Sequence, residues 1–238
     1  MIYYFTVSKL FQELFSMSVE VSDRLSLVTK KIIALTRSSN SKTINIVAVS
    51  KRQPVEKILS AIKCGHRVFG ENRVDEAKKK WLGLLDTYSD VTLHMIGSLQ
   101  SNKVKEAVAL FDVIQTVDRM SLARKISIET HIQKKKLKCF VQVNTGKESQ
   151  KSGVLPEDAI AFVQTCRHNL GLDVMGLMCI PPVSDNPALH FAFLRELAVQ
   201  AKVRHLSMGM SSDFETAIGL GATYIRLGNF IFGDRVDP

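Results

Sequence analysis

Eight short β-rich runs, each parted from the next by a longer stretch of helical character, constrain this chain more than any other feature. They are INIVAV (44–49), RVF (67–69), LHMI (93–96), DVIQTV (112–117), CFVQV (139–143), DVMGLM (173–178), HLSM (205–208) and YIRLG (224–228). A helical pattern precedes the first at 20–37. Others fill 54–63, 74–85, 102–110, 120–134, a segment opened by Pro156, 187–202 and 213–220. Strands that alternate with helices argue for parallel βαβ units. Eight such units in roughly 200 residues predict an α/β fold closed into a (β/α)8 TIM-type barrel, with a doubly wound open sheet as the alternative. Only ten residues follow the last run, so the final outer helix is stunted. An extra N-terminal helix could cover that gap.

The bulk properties narrow the class. A chain of 238 residues, 45% hydrophobic, is long enough for one large core without staples, and no Pro/Ser/Gly-rich linker divides it. No run of eighteen apolar residues appears, so no membrane span is expected. Residues 1–16 are apolar-rich but carry Lys9, Gln12 and Glu13 and lack the flanks of a signal peptide. They read either as an N-terminal extension of uncertain order before a barrel domain at 17–238, or as a docked amphipathic helix. Cys64, Cys139, Cys166 and Cys179 have no CxxC spacing and no histidine cluster, so buried reduced thiols in a cytoplasmic protein are expected and a metal site is not. The net charge is +9, yet the KKK runs at 78–80 and 134–136 lie in helical stretches without interleaved aromatics. That pattern fits a solvated helix face better than a nucleic-acid surface.

In a barrel, residues just past each strand's C-terminal end line the active mouth. Lys51 is one, placing an amine at the end of a buried run. Gly70, Glu71 and Asn72, Gly97 and Ser98, Asn144, the segment SMGMSS (207–212), and Gly228 with Asn229 are the others. Ser212-x-x-Glu215 reads as a capping box, and Gly209 would let the backbone approach closely. A glycine-containing loop that feeds a helix N-terminus suits a phosphate; an equally plain reading is a capped helix with nothing bound. On the last strand Tyr224 and Arg226 alternate inward. An inward arginine needs a partner, either a carboxylate such as Glu71 or a ligand's ring nitrogen. An amine, a phosphate site and an inward arginine together suggest pyridoxal phosphate (PLP), whose aldehyde condenses with a lysine. On pattern alone, a surface lysine at a strand end remains open.

AVSK (48–51), FGENRVDE (69–76), HMIGSLQSNK (94–103), VNTGKESQKSG (143–153), GLMCIPP (176–182), LSMGMSSDFETAI (206–218) and IRLGNFIFG (225–233) together resemble the YggS/PROSC family of PLP homeostasis proteins, in order, from about residue 18 to 235. The resemblance implies a single-domain type III barrel, like the N-terminal domain of alanine racemase. It implies that Lys51 carries the cofactor as a Schiff base (an internal aldimine) and that Asn72 lies beside the ring. It also implies that Ser207, Met208, Gly209 and Ser211, with Gly228 and Asn229, cradle the phosphate, and that Arg226 meets the pyridine nitrogen. The family usually has Gly-Thr where this chain has Gly228–Asn229, which puts the hydroxyl contact in question.

The same residues favour a carrier over an enzyme. An arginine at the ring nitrogen can only donate, so the pyridine stays unprotonated and a poorer electron sink. A racemase also needs a second base. Tyr88 sits in a helix-to-strand loop at the wrong end, Tyr3 and Tyr4 lie in the first residues, and His94 begins its strand. Tyr224 lies about 6.6 Å deeper than Arg226, at roughly 3.3 Å per residue. The expectation is a monomeric, non-catalytic protein of PLP (vitamin B6) homeostasis whose partners are PLP and apo-enzymes that receive it. A small amino-acid racemase is the alternative.

Overall fold

The computed structural model describes residues 2–36 and 43–234, with side chains from Ser18 onward. Eight parallel strands close into a barrel in sequence order: β1 (Asn45–Val49), β2 (Val68–Glu71), β3 (Thr92–Met95), β4 (Val113–Val117), β5 (Lys138–Gln142), β6 (Asp173–Met178), β7 (His205–Ser207) and β8 (Tyr224–Leu227). Closure is made by β1 against β8, with Asn45 beside Tyr224 and Ala48 beside Leu227. The strands are covered on both faces, which is why several read as near-continuous apolar runs; all of β4 is buried. The open-sheet alternative is excluded by the β1–β8 pairing.

The helices between strands are α2 (Val55–Lys63), α3 (Val74–Thr87), α4 (Val104–Leu110), α5 (Met120–Ile132), α6 (Ala159–Gln164), α7 (Pro187–Gln200) and α8 (Phe214–Gly219). They bury the main core between themselves and the outward strand faces, around Phe69, Trp81, Leu93, Phe111, Ile114, Phe191 and Leu227. Burying each such side chain contributes about 1.5–3 kcal/mol. The helix expected from Pro156 is more broken than its pattern suggests. A 3-10 turn (Pro156–Asp158) leads into α6, and a π turn (Thr165–Asn169) ends it. In that wide turn Arg167 donates to the carbonyls of Val174 and Lys202.

Among the described residues, the only helix after β8 is the four-residue α9 (Asn229–Phe232). The gap is covered by α1 (Ile2–Thr36), which packs on α2, α8 and α9 through the buried stripe Val21, Leu25, Val28 and Ile32. Its backbone runs unbroken past residue 16, while the side chains of residues 1–16 lie outside those described. The expected end of this helix at residue 37 also lies outside the described residues.

Candidate functional site

Strand alternation decides which groups reach the barrel's centre. Val47 and Val49 of β1 point inward, where they pack with Ile96. Ser50 points outward, and its hydroxyl donates to the Glu71 carboxylate at 2.7 Å. Glu71 therefore belongs to the layer between strands and helices and does not line the mouth. It is fully buried, paired with Lys80 at 2.7 Å and hydrogen-bonded by the Trp81 indole. Burial pushes its carboxyl above the ordinary range, against the opposing pull of Lys80, Ser50 and Trp81. The Glu71 partnership considered for Arg226 is thus not made.

Lys80 also donates to the Ser50 carbonyl at 2.7 Å and to Glu76 at 2.9 Å, and Glu76 accepts from the Arg52 N–H. These bonds brace the chain on both sides of Lys51. Arg52 itself sits at φ +54, in the left-handed region. Nearby, a Cβ at Gly97 would collide with the Asn72 backbone, so only glycine lets the β2 and β3 loops meet there.

Lys51 and Asn72 open onto a cavity of about 320 Å3. Its remaining walls are Val49, Ile96, Ile180 and Met210 on the apolar side, and Ser211, Ser212, Arg226, Gly228 and Asn229 on the polar side. Six of the nine sequence-derived cofactor residues therefore meet at one cavity: Lys51, Asn72, Ser211, Arg226, Gly228 and Asn229. Ser207, Met208 and Gly209 do not line it. Ser207 and Met208 are fully buried, and Gly209, at φ +95, packs so close to α8 that a Cβ would meet that of Ala217 at 2.6 Å.

Ser207 instead belongs to a directed chain of hydrogen bonds inside the barrel. Arg226 Nη1 donates to Ser207 Oγ at 2.8 Å, and Ser207 Oγ donates to Gln115 Oε1 at 2.6 Å. The Gln115 amide nitrogen then lies 2.7 Å from His94 Nδ1. With its oxygen committed to Ser207, Gln115 turns its N–H toward His94, so the ring is neutral with its proton on Nε2. Burial, aided by the Lys138 charge, holds the His94 pKa down to about 3. Arg226 Nη2 donates to the Cys179 carbonyl at 2.9 Å. The guanidinium is only 4% exposed, yet no carboxylate pairs with it and nothing accepts from its Nε–H among the described residues.

The polar end of the cavity is built from two turns. Before α8, the Met210 N–H donates to the Asp213 carboxylate, and Asp213 occupies the N-cap. The expected Ser212–Glu215 box does not form, because the cap falls one residue later at Asp213; Glu215 pairs instead with Lys31 of α1 at 2.7 Å. At α9, the Ile231 and Phe232 N–H groups both return to the Gly228 carbonyl. The Asn229 and Phe230 N–H groups stand at the helix start, where no intrahelical acceptor is available. Lys57 of α2 donates to the Phe232 carbonyl and fixes the far end of α9.

Residues 30–236 match the family model described as alanine racemase, N-terminal domain. The pyridoxal phosphate homeostasis protein of Vibrio cholerae is 38% identical over 203 residues, spanning 81% of this chain and 86% of that protein. Its counterpart from Aquifex aeolicus is 38% identical over 224 residues, spanning 90% and 97%. This chain belongs to the pyridoxal phosphate homeostasis protein family. PipY of Synechococcus elongatus, solved with PLP bound, superposes with a TM-score of 0.77 at 34% identity, over 90% of this chain and all of that one. An alanine racemase from Clostridium difficile shares the fold alone, at 16% identity and a TM-score of 0.67, over 90% of this chain and 58% of that one.

Two groups of residues of this homeostasis-family chain were not singled out in the sequence. The apolar wall of Val49, Ile96 and Ile180, which joins Met210 of the segment already named, could have been found by counting inward positions back from Lys51 and across the mouth. Gln115 carried a plainer signal, as the one amide in a fully buried strand.

Proposed function

We propose that this chain is a non-catalytic carrier of pyridoxal phosphate that serves cellular homeostasis of the cofactor. The observation that carries the reading is Arg226: a buried guanidinium with no carboxylate partner, in the same cavity as Lys51. Such a group is stable only where a further acceptor meets it. The neutral nitrogen of a pyridine ring fits, as does the apolar wall of Val49, Ile96, Ile180 and Met210 against a flat ring. The two turns at Ser211–Ser212 and Gly228–Asn229 bring hydroxyls and helix-start N–H groups to one cavity, which supports a phosphate site there. When bound, the cofactor supplies an aldehyde carbon to which an amine attaches reversibly and a ring that withdraws electrons from what is attached. Lys51 is the attachment point, and the brace around Ser50 and Arg52 presents its amine.

The same cavity supports a carrier over an enzyme. Lys51 and Arg226 are the titratable residues that line it; no carboxylate, imidazole, phenol or thiol does so. Arg226 keeps its proton and leaves the pyridine uncharged. Tyr224 is packed between the rings of Phe140, His94 and His205. Among the described residues, no second base is thereby at hand to move a substrate's α-proton. In the same reading the protein works as a cytoplasmic monomer and hands the cofactor to apo-enzymes.

The test is the visible spectrum of the purified protein with PLP, beside Lys51→Ala, followed by borohydride reduction and peptide mapping. The expected result is a yellow wild type, a label locked on the Lys51 peptide, and a colourless variant. A colourless wild type would overturn the reading. Exchange of an amino acid's α-proton faster than with free PLP would replace the carrier with a racemase.

A further inference from the structure

We infer that a second cleft, on the outer side of Lys51, receives the carboxylate of a small amine-bearing acid through Arg52 and Arg73; the inference rests on the cofactor reading for its purpose. The cleft measures about 230 Å3 and is lined by Lys51, Arg52, Asn72, Arg73 and Glu76. It shares Lys51 and Asn72 with the cofactor cavity, so the lysine stands on the wall between the two.

The charges in the cleft are unbalanced. Its carboxylate, Glu76, is already committed to the Arg52 N–H and to Lys80. The guanidinium groups of Arg52 and Arg73 meet no acceptor among the described residues, whereas Arg24, Arg67 and Arg119 each close on a carboxylate. The backbone that carries Arg52 to the cleft is fixed. Its backbone is held at φ +54 by its own N–H bond to Glu76, and the preceding carbonyl of Ser50 is held by Lys80. Backbone strain that surroundings over-determine in this way marks a position where the conformation is used.

Two guanidinium forks match the planar, bidentate geometry of a carboxylate. The volume lies below the range of about 300–1,000 Å3 typical of drug-sized ligands, so the guest is small. A carboxylate seated here would carry its own α-amine toward Lys51. With the cofactor held at Lys51, exchange there would be balanced: the incoming nitrogen would take the carbon that Lys51 Nζ releases, and the proton it sheds would end on Nζ, with no electrons gained or lost. The arrangement gives the carrier a route for unloading that favours amino acids over simple amines.

The deciding experiment needs no cofactor. Protein labelled with 15N-arginine is titrated with N-acetyl-L-alanine, which has the carboxylate but no reactive amine, and in parallel with N-acetyl-L-alaninamide. The expected result is a saturable shift of the Arg52 and Arg73 Nε–H resonances with the acid only, abolished in an Arg52→Gln/Arg73→Gln variant of unchanged melting temperature. Absence of a shift, or an equal shift with the amide, overturns the inference whatever the spectrum at Lys51 shows. A second arm follows release of bound PLP by L-alanine and by L-alaninamide. The wild type should favour the acid by roughly tenfold, the gain of one charge-assisted pair, and the double variant should lose that preference. A preference that survives in the double variant counts against the site.

Discussion

Replacing Lys80 with methionine would remove the cation of the ion pair behind Lys51 while leaving its carboxylate in place. Glu71 is fully buried and Lys80 is 11% exposed in its side chain, with 2.7 Å between the charges. Taking one partner from a buried pair costs about 3–5 kcal/mol, because the remaining charge is left without compensation. Glu71 can escape part of that cost by binding a proton. Its folded pKa already stands above the ordinary value through burial, and loss of Lys80 drives it higher. A carboxyl raised in the folded state favours folding at low pH, and that contribution is lost as pH rises through the folded pKa. Each pH unit below the folded pKa recovers at most about 1.4 kcal/mol. Urea unfolding of Lys80→Met should therefore show the full loss, about 3–5 kcal/mol, near pH 8 and a clearly smaller loss near pH 5. Adding Glu71→Gln should erase the difference between the two pH values. A loss under about 1 kcal/mol, or one equal at both pH values, would refute the account of this pair.

Three further outcomes follow from the interior. Ser207→Ala unpairs Gln115 Oε1 and Arg226 Nη1 and should cost about 1–3 kcal/mol in urea unfolding, while shifting the absorption maximum of bound PLP without abolishing it; an unmoved spectrum would break the proposed link between this chain and the ring. His94, held neutral to about pH 3, should show no imidazole titration by NMR above that range. Its lowered pKa adds stability that is present above its unfolded value and is lost at up to about 1.4 kcal/mol per pH unit below about pH 6.5. Burial raises the thiols of Cys139, Cys166 (to about 11) and Cys179 (to about 12), so iodoacetamide at neutral pH should label exposed Cys64 fast and the others only on unfolding, as mass spectrometry would read.

The barrel was legible because each βα unit repeats one hydrophobic pattern, and eight repeats leave little choice of closure. The meeting of Lys51, Asn72 and Arg226 at one cavity was legible for a similar reason: position along a parallel strand says which end and which face a residue occupies. Glu71 was misplaced by ignoring that alternation, since Gly70 faces in and Glu71 out. Ser207 was misplaced because a serine beside a glycine-rich turn reads alike whether its hydroxyl meets a phosphate or a buried glutamine 92 residues away. The Ser212–Glu215 box failed because the helix starts one residue later, with Asp213 at its N-cap, while Glu215 meets a lysine 184 residues earlier. Local signals cannot register such contacts. The cleft at Arg52 and Arg73 was invisible because nothing in a sequence tells a paired surface arginine from an unpaired one.

The seam where α1 lies over α9 gives the order in which this molecule can become competent on the ribosome. Arg24 of α1 reaches the Asn229 carbonyl, and Lys57 of α2 holds the Phe232 carbonyl, so this turn of the cavity is clamped by helices 205 and 175 residues upstream of it. Those early helices are synthesised first and must wait, with part of the Val21–Ile32 stripe unburied, until residues 224–232 emerge. A nascent chain can thus hold seven strands and Lys51 and still lack both Arg226 and the Gly228–Asn229 turn. On the cofactor reading proposed above, the cavity gains its polar end once residues 224–232 have emerged and paired with these earlier helices.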